Sequence, residues 1–128
     1  MSAVAAHYEV RFSADARDDV NRLEGSIRNR LRKILEKKIA TAPTQYGEPL
    51  VGVLAGYWSH HFASHRLIYR VYEDLKLVLV CAVGARRAGH RSDVYRQFEA
   101  LVRAGRTAEQ ILDALRGRPP QKRITRGD

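Results

Sequence analysis

The stretch that decides the fold is residues 57–83, which read YWSHHFASHRLIYRVYEDLKLVLVCAV. It contains three apolar runs, at 57–63, 66–72 and 75–83. They show either the polar–apolar alternation of a half-buried β-strand or the continuous apolar sequence of a fully buried one. The tight connections between them are at Ala63-Ser64 and Glu73-Asp74. Because connections this short join neighbouring strands that run in opposite directions, the stretch predicts an antiparallel three-stranded meander.

The segment before the meander predicts one strand and a helical hairpin. Residues 7–12 alternate polar and apolar side chains, which is the period of a strand. Ser13 and Ser26 each resemble a helix N-cap, and Thr41-Ala42-Pro43 should end the second helix. That helix buries apolar residues spaced by three and four, namely Ile27, Leu31, Ile34, Leu35 and Ile39. The order β-α-α-β-β-β predicts an α+β fold, a small antiparallel sheet backed by a helical hairpin.

Two more helices are predicted after the meander. One runs from Asp93 to Arg103, and the other runs from a cap at Thr107 to Arg116. We expect the apolar stripe of the last helix to pack on the protein's own core, because a short amphipathic helix is rarely stable alone. The basic tail, residues 121–128, has the composition of a disordered segment. We therefore assign residues 1–104 to one domain and residues 105–128 to a C-terminal extension of that domain.

The composition predicts an acidic partner. Lys and Arg number 23 against 14 Asp and Glu, a formal net charge of +9, which favours nucleic acid, an acidic protein or an anionic membrane surface. No apolar run is long enough to span a bilayer, and the N-terminus lacks a signal-peptide pattern. The single cysteine, Cys81, lies in an apolar strand and is interpreted as a core residue. We expect a cytoplasmic protein without disulfides, metal or cofactor.

Strand alternation assigns the two faces of the sheet. The face toward the hairpin is predicted to carry Trp58, His60, Phe62, Leu67, Tyr69 and Val71. The opposite face is expected to be open and to carry Tyr57, Ser59, His61, Arg66, Ile68 and Arg70. His61 and Arg66 therefore share one face. His60 is predicted to be a partly buried histidine on the apolar side, and for His65, at the turn, ligand contact and solvation both stay open.

Three motifs connect these strands to a known family. They are Leu54-x-Gly56-x-Trp58, then Ser64-His65-Arg66-Leu67-Ile68-Tyr69, and then Val83-Gly84 followed by His90-Arg91-Ser92-Asp93-Val94-Tyr95. In this order and spacing the chain resembles the RelE/ParE superfamily of toxins from toxin–antitoxin systems, from Tyr8 to Leu101. The resemblance implies the same fold and, as a partner, a cognate antitoxin that binds through an acidic segment.

The RNA-cleaving branch of that superfamily cuts messenger RNA in the ribosomal A site, by attack of a ribose 2′-OH on the adjacent phosphorus. The resemblance implies that Arg66 binds the phosphate and that His61 is the general base, a task suited to histidine. Arg91 and Tyr95 match the arginine and tyrosine of the closing motif, and His90 or Tyr95 would protonate the leaving 5′-oxygen. Further candidates for RNA binding are His65, Arg70, Arg86, Arg87, Lys33 and Lys37.

The chain departs from the family pattern at three places. Ser59 stands at a position that is basic in some relatives, Val94 stands where one branch has a histidine, and the stretch 85–89 is longer than usual. Two other functions therefore stay open. The ParE branch shares the fold but inhibits DNA gyrase by binding, without cleavage, and a third interpretation is a basic binding module without toxicity. The titratable groups at one end of the sheet favour the nuclease, because binding alone needs charge but neither histidine nor tyrosine.

Overall fold

The computed structural model of the protein describes residues 7–117. The strands are β1 (Glu9–Phe12), β2 (Glu48–Pro49), β3 (Trp58–Phe62), β4 (His65–Tyr72) and β5 (Leu77–Ala85). The helices are α1 (Ala14–Asn21), α2 (Gly25–Ile34), α3 (Pro43–Tyr46), α4 (Val94–Arg103) and α5 (Arg106–Leu115), and α2 continues into a π-helical turn, Leu35–Ile39. Two short 3₁₀ turns cover Gly52–Leu54 and Glu73–Leu75. The tail predicted to be disordered lies outside the described residues.

The five strands form one sheet in the order β1-β5-β4-β3-β2. The predicted α+β architecture is confirmed, and β3, β4 and β5 form the predicted antiparallel meander. The sheet is antiparallel except at β1, which lies parallel to β5. Short turns dictate direction only for the strands they join, and β1 reaches the meander through the helical hairpin. The additional strand β2 pairs with the start of β3, and its Pro49 occupies the sheet edge, where a missing N–H is tolerated.

The predicted helix cap is confirmed at the start of α1 and is wrong at the starts of α2 and α5. The Ser13 hydroxyl accepts a hydrogen bond from the Ala16 N–H, as predicted for the start of α1. Ser26 is not the cap of α2, because that helix already includes Gly25 and the Ser26 hydroxyl donates to the Glu24 carboxylate. Thr107 is not the cap of α5 either. The cap is Gly105, two residues earlier, which adopts the left-handed conformation at φ 79°. Thr107 is therefore buried in the first turn of the helix.

The helical hairpin packs on one face of the sheet. Buried residues of α1, α2 and the π turn contact the inward side chains of β3, β4 and β5, and together they are Ala16, Leu31, Leu35, Ile39, Phe62, Leu67, Tyr69, Val78, Val80 and Val83. This apolar cluster confirms the predicted hairpin-facing side of the meander. Burying side chains of this size is the main stabilising term of such a layer, at about 1.5–3 kcal/mol each.

The opposite face of the sheet is covered as well, so the expectation of an open face is wrong over most of its area. Helices α4 and α5 fold back across it and form a second core with Leu54, Tyr57, Ile68, Leu79, Cys81, Ala82, Val94, Phe98 and Ala114. A β-bulge puts Cys81 and Ala82 on the same side, because Ile68 pairs with Ala82 while Tyr69 pairs with Val80. Cys81 is a core residue as predicted, and burial raises the pKa of its thiol to about 12.

Helix α5 packs on its own domain, as expected. Ala114 is buried, and its carbonyl accepts a hydrogen bond from the Arg11 guanidinium at 2.6 Å. Arg106 binds the carboxylate of Asp15 at 2.8 Å through two nitrogens. Across residues 7–117, no helix combines the length and the apolar character needed to cross a bilayer.

Candidate functional site

A cleft lies where the sheet edge loses its partner strand. Strand β2 pairs only with Trp58 and Ser59, so within the described chain the outer edge of β3 is uncovered from His60 onward. A cavity of about 540 Å³ opens at this point, and we call it the edge cleft. It is lined by cationic, aromatic and histidine side chains together with a few others, namely Arg30, Ile34, Lys38, Tyr46, Glu48, Ser59, His60, His61, Phe62, Ala63, Arg66 and Tyr95.

The meander brings His61 and Arg66 together. The two residues are directly opposite each other in the antiparallel pair β3–β4, so their side chains lie on the same face, with Cβ atoms about 5 Å apart. His61 is exposed, whereas Arg66 is half-buried and donates from Nη1 to the His65 carbonyl at 3.0 Å. Both line the edge cleft, as the alternation of the two strands predicts.

Tyr95 enters the same cleft from the first turn of α4. Its hydroxyl lies 2.6 Å from the Ser59 hydroxyl, and Ser59 is only 7% exposed. This hydrogen bond crosses from the helix to the sheet and sets the position of the phenol oxygen. The cleft therefore contains His61, Arg66 and Tyr95, three of the five residues predicted to be catalytic.

A buried carboxylate organises the segment that carries Tyr95. Asp93 caps α4 by accepting from the N–H groups of Tyr95 and Arg96, and its other oxygen accepts from Arg86 Nη1 at 2.7 Å and from the Arg87 N–H at 2.6 Å. Burial alone would raise the pKa of Asp93, but the hydrogen bonds from Arg86 and Arg87 hold it below its usual range. Arg86 in turn lies over the Tyr95 ring, 5.0 Å from its centroid.

The other half of the cleft lies toward the helical hairpin. His60 donates from Nδ1 to the Tyr46 carbonyl at 2.8 Å, and Lys38 lies over the Tyr46 ring at 5.6 Å. Arg30 and Lys38 line this half at helical spacing. His60 is half-buried, as predicted for a histidine on the apolar side, but it also lines the edge cleft, because β3 is an edge strand there.

Several predicted RNA-binding residues lie away from the cleft. Lys33 and Lys37 are exposed on the hairpin but do not line it. Arg70 is enclosed between the rings of Tyr57 and Tyr72, at 5.0 and 5.6 Å. These contacts place Arg70 under the second core rather than beside Arg66.

The loop before α4 contains four more residues that the sequence predicts to take part in RNA binding or catalysis. Arg86 reaches Tyr95 as described, whereas Arg87, His90 and Arg91 are exposed and do not line the cleft. The Ser92 N–H donates to His90 Nδ1 at 3.1 Å, so this ring is held within its own loop. The roles assigned to His90 and Arg91 stay predictions.

His65 lies at the β3–β4 turn, on the side away from the cleft. Its ring lies 5.7 Å from the Phe62 ring, and its Nδ1 is buried with no hydrogen-bond partner in the described part of the chain. Burial lowers the pKa of this histidine. The ring therefore packs at the turn instead of facing solvent or Arg66.

Sequence reasoning missed two residues that support the site. The sequence pattern marks Ser59 only as the loss of a cation, and Asp93 only as the start of a helix. An aspartate directly before an amphipathic run is a recognisable capping signal. Its contact with Arg86 depends on the path of the intervening loop, which has no periodic pattern to reveal it.

Comparisons with known proteins agree with this fold. A family model described as the ParE toxin of the type II toxin–antitoxin system parDE matches residues 10–89. Toxin RelG of Mycobacterium tuberculosis is 31% identical over 90 residues, which cover 70% of this chain and 98% of that protein.

Solved structures share the architecture. A chain of the RelBE2 toxin–antitoxin complex from M. tuberculosis is 28% identical with a TM-score of 0.61, over 66% of this chain and 98% of that chain. The isolated RelE toxin of E. coli aligns with a TM-score of 0.54 at 23% identity, over 76% of this chain and 98% of that chain, which shows the fold alone. Since the family model spans more than half of the sequence and RelG matches along nearly its whole length, the chain belongs to the RelE/ParE superfamily and is a toxin of a type II toxin–antitoxin system.

Proposed function

We propose that this toxin is an endoribonuclease that cleaves messenger RNA on the ribosome, in the A site, and so inhibits translation. The observation that carries the proposal is the convergence of His61, Arg66 and Tyr95 on one cleft. A base, a phosphate-binding cation and a proton donor are the three groups that 2′-OH attack requires. A protein that acts by binding alone has no need of this combination.

The attacking half of the reaction is assigned to His61 and Arg66. Neutral His61 takes the proton from the ribose 2′-OH, and the 2′-oxygen then forms a bond to the adjacent phosphorus. Arg66 can fork two N–H donors onto the phosphate oxygens, whose negative charge grows as the phosphorane-like transition state forms. Because Arg66 is half-buried, its guanidinium is less screened by water than a fully exposed one.

The leaving half is assigned to Tyr95. As the bond from phosphorus to the 5′-oxygen breaks, that oxygen takes the phenol proton, which gives a 2′,3′-cyclic phosphate and a free 5′-hydroxyl. The Ser59 hydroxyl lies 2.6 Å from the phenol oxygen and can donate a hydrogen bond to it. The O–H of Tyr95 is then free to point into the cleft. The Arg86 charge over the ring offsets the negative charge that Tyr95 then gains. Return of the proton from His61 to Tyr95 through solvent completes the cycle.

We further propose that a cognate antitoxin keeps the toxin silent in the cytoplasm. The RelBE2 complex of M. tuberculosis contains a toxin with its antitoxin, and the charge of +9 favours an acidic binding segment here. Such an attraction depends strongly on ionic strength. The affinity of the pair should therefore fall as salt is added.

Induced expression with primer extension on cellular messages tests the nuclease proposal. We expect new 5′-ends within codons of translated messages soon after induction. Addition of an antibiotic that empties the ribosomal A site should suppress these cuts if ribosomes are required. Intact messages during growth arrest would contradict the proposal.

Gyrase inhibition is the second candidate function, because the matching family model is that of ParE toxins. It predicts arrested DNA replication and a change in plasmid supercoiling while messages stay intact. Supercoiling assays with purified gyrase, run beside the primer extension, separate the two activities.

A further inference from the structure

The hairpin side of the edge cleft has no part in the bond-breaking step, and its surface is that of a nucleotide subsite. We propose that Tyr46 is a stacking platform for one unpaired base of single-stranded RNA, with Lys38 and Arg30 neutralising the adjoining phosphates. The inference rests on the proposed function, since it describes a further part of the site that holds the same RNA.

Tyr46 is an aromatic side chain presented to solvent within a cleft. It is 45% exposed although it lines the cleft, and Lys38 Nζ lies 5.6 Å from its ring centroid. Exposed rings in a positively charged groove are the means by which proteins hold single-stranded RNA, because every base offers a π-face for stacking.

The platform is held rigidly from below. Tyr69 is fully buried and donates from its hydroxyl to the Pro43 carbonyl at 2.7 Å, which anchors α3 to the sheet. A Cβ atom at Gly47 would lie 1.9 Å from that hydroxyl, so a glycine is needed directly after Tyr46. Because the backbone that carries Tyr46 is already fixed, it loses little conformational entropy when a base stacks on the ring.

Two further groups complete the subsite. His60 Nδ1 donates to the Tyr46 carbonyl, so in the neutral ring Nε2 is left as a hydrogen-bond acceptor for a ligand. Arg30 and Lys38 lie two helical turns apart along the same wall of the cleft. They outnumber the single carboxylate of the lining, Glu48, so this wall favours a phosphate backbone.

The binding test uses the full-length protein and a fluorescent single-stranded RNA of six nucleotides in which every 2′-OH is methylated. Such an RNA cannot be cut by 2′-OH attack, so fluorescence anisotropy reports affinity alone. Loss of one base stack should weaken binding by about 5- to 150-fold in Tyr46→Ala. Tyr46→Phe should bind within about twofold of wild type, because it keeps the ring, whereas Tyr46→Leu should behave as the alanine variant does.

The two neighbouring lysines provide a matched control for charge. Lys38→Gln should lower the slope of log affinity against log salt by about 0.7, the value for one phosphate contact on a single strand. Lys37→Gln removes an equal charge outside the cleft and should leave the slope unchanged. Wild-type affinity in Tyr46→Ala, equal effects of the two lysine variants, or no binding by the wild type would each overturn the subsite.

The fate of the nuclease proposal can be read separately. If the wild type binds methylated RNA through Tyr46 but leaves messages intact in cells, the subsite stands and the cleavage mechanism falls. If messages are cut while Tyr46→Ala binds and cleaves as the wild type does, the cleavage mechanism stands and the subsite falls.

Discussion

Different interactions fix the geometry of the two halves of the edge cleft. On the Tyr95 side, side-chain charge and hydrogen bonding fix the geometry, through the buried Asp93, its Arg86 partner and Ser59. On the Tyr46 side, steric fit at Gly47 and hydrogen bonds to backbone carbonyls do so. A charge network responds to pH and to isosteric substitution, whereas a steric fit responds only to volume. Each half can therefore be disturbed by a change that leaves the other intact.

The largest expected effect comes from removing the base on the Tyr95 side. His61→Gln should lower the single-turnover cleavage rate by about 10²–10⁴-fold, because a general base contributes that much. His7→Gln serves as the control, because His7 is an exposed histidine that does not line the cleft. A cleavage rate in His61→Gln equal to that of the wild type would remove His61 from the role of base.

The second-largest effect is expected for Arg66→Ala, which should lower the cleavage rate by about 10²–10³-fold. This is the usual consequence of removing one preorganised donor to a developing charge. The protein should still fold, because Arg66 is half-buried and its one side-chain hydrogen bond within residues 7–117 is to the neighbouring His65 carbonyl. Growth arrest and thermal unfolding should be measured on the same variant. Arg96→Ala, which removes an exposed arginine of α4 outside the cleft, is the control. Full toxicity of Arg66→Ala would exclude this guanidinium from the mechanism.

Two substitutions of Asp93 separate its role as the cap of α4 from its role as the ion-pair partner of Arg86. Asparagine caps a helix as well as aspartate does, so Asp93→Asn should keep α4 while losing the ion pair to Arg86. Asp93→Ala loses both and should destabilise the protein by roughly 2–4 kcal/mol, with about half of that in Asp93→Asn. Cleavage should fall in both variants, because Arg86 is no longer held over Tyr95.

The pH dependence of stability gives an independent check on Asp93. Its folded-state pKa is held below the usual range, so its stabilising contribution is present above the unfolded-state pKa of about 3.9 and is lost as the pH falls through the folded-state value. Urea unfolding of wild type and Asp93→Asn should give a difference at pH 7 that shrinks below about pH 4. A difference that is constant with pH would mean that the carboxylate charge contributes nothing.

Much of the fold follows from local pattern, and the departures have one common cause. Alternation within the meander is a short-range property, and it correctly predicts that His61 and Arg66 share a face. The rotation of a helix about its axis is decided by packing with distant elements. The charged face of α2 and its π turn is wide, and the pattern alone could not show that Arg30 and Lys38 line the cleft while Lys33 and Lys37 do not.

The face opposite the hairpin illustrates the same limit. Arg70 lies on the same face of β4 as Ile68, which strand alternation predicts to be open, but α4 and α5 cover that face with their own side chains. The sequence predicts that α5 is amphipathic and packs on its own domain, without indicating which face of the sheet receives it. Strand alternation cannot tell an open face from a covered one when the covering helices come later in the chain.

Gly47→Ala disturbs the other half of the cleft and should have the smallest effect on cleavage. The added methyl meets the Tyr69 hydroxyl at 1.9 Å, so either Tyr69 leaves the Pro43 carbonyl or α3 lifts from the sheet. Overpacking of this kind costs about 1–3 kcal/mol. Tyr46 should then lose its fixed position and bind methylated RNA more weakly, while the hydrogen bond between Ser59 and Tyr95 stays intact.

Tyr69→Phe combined with Gly47→Ala removes the clashing oxygen and should recover part of the lost RNA affinity, although the hydrogen bond to Pro43 is gone. If Gly47→Ala instead abolished cleavage as completely as Arg66→Ala does, the two halves would not be independent, and the charge network around Asp93 would have to extend across the β3 edge.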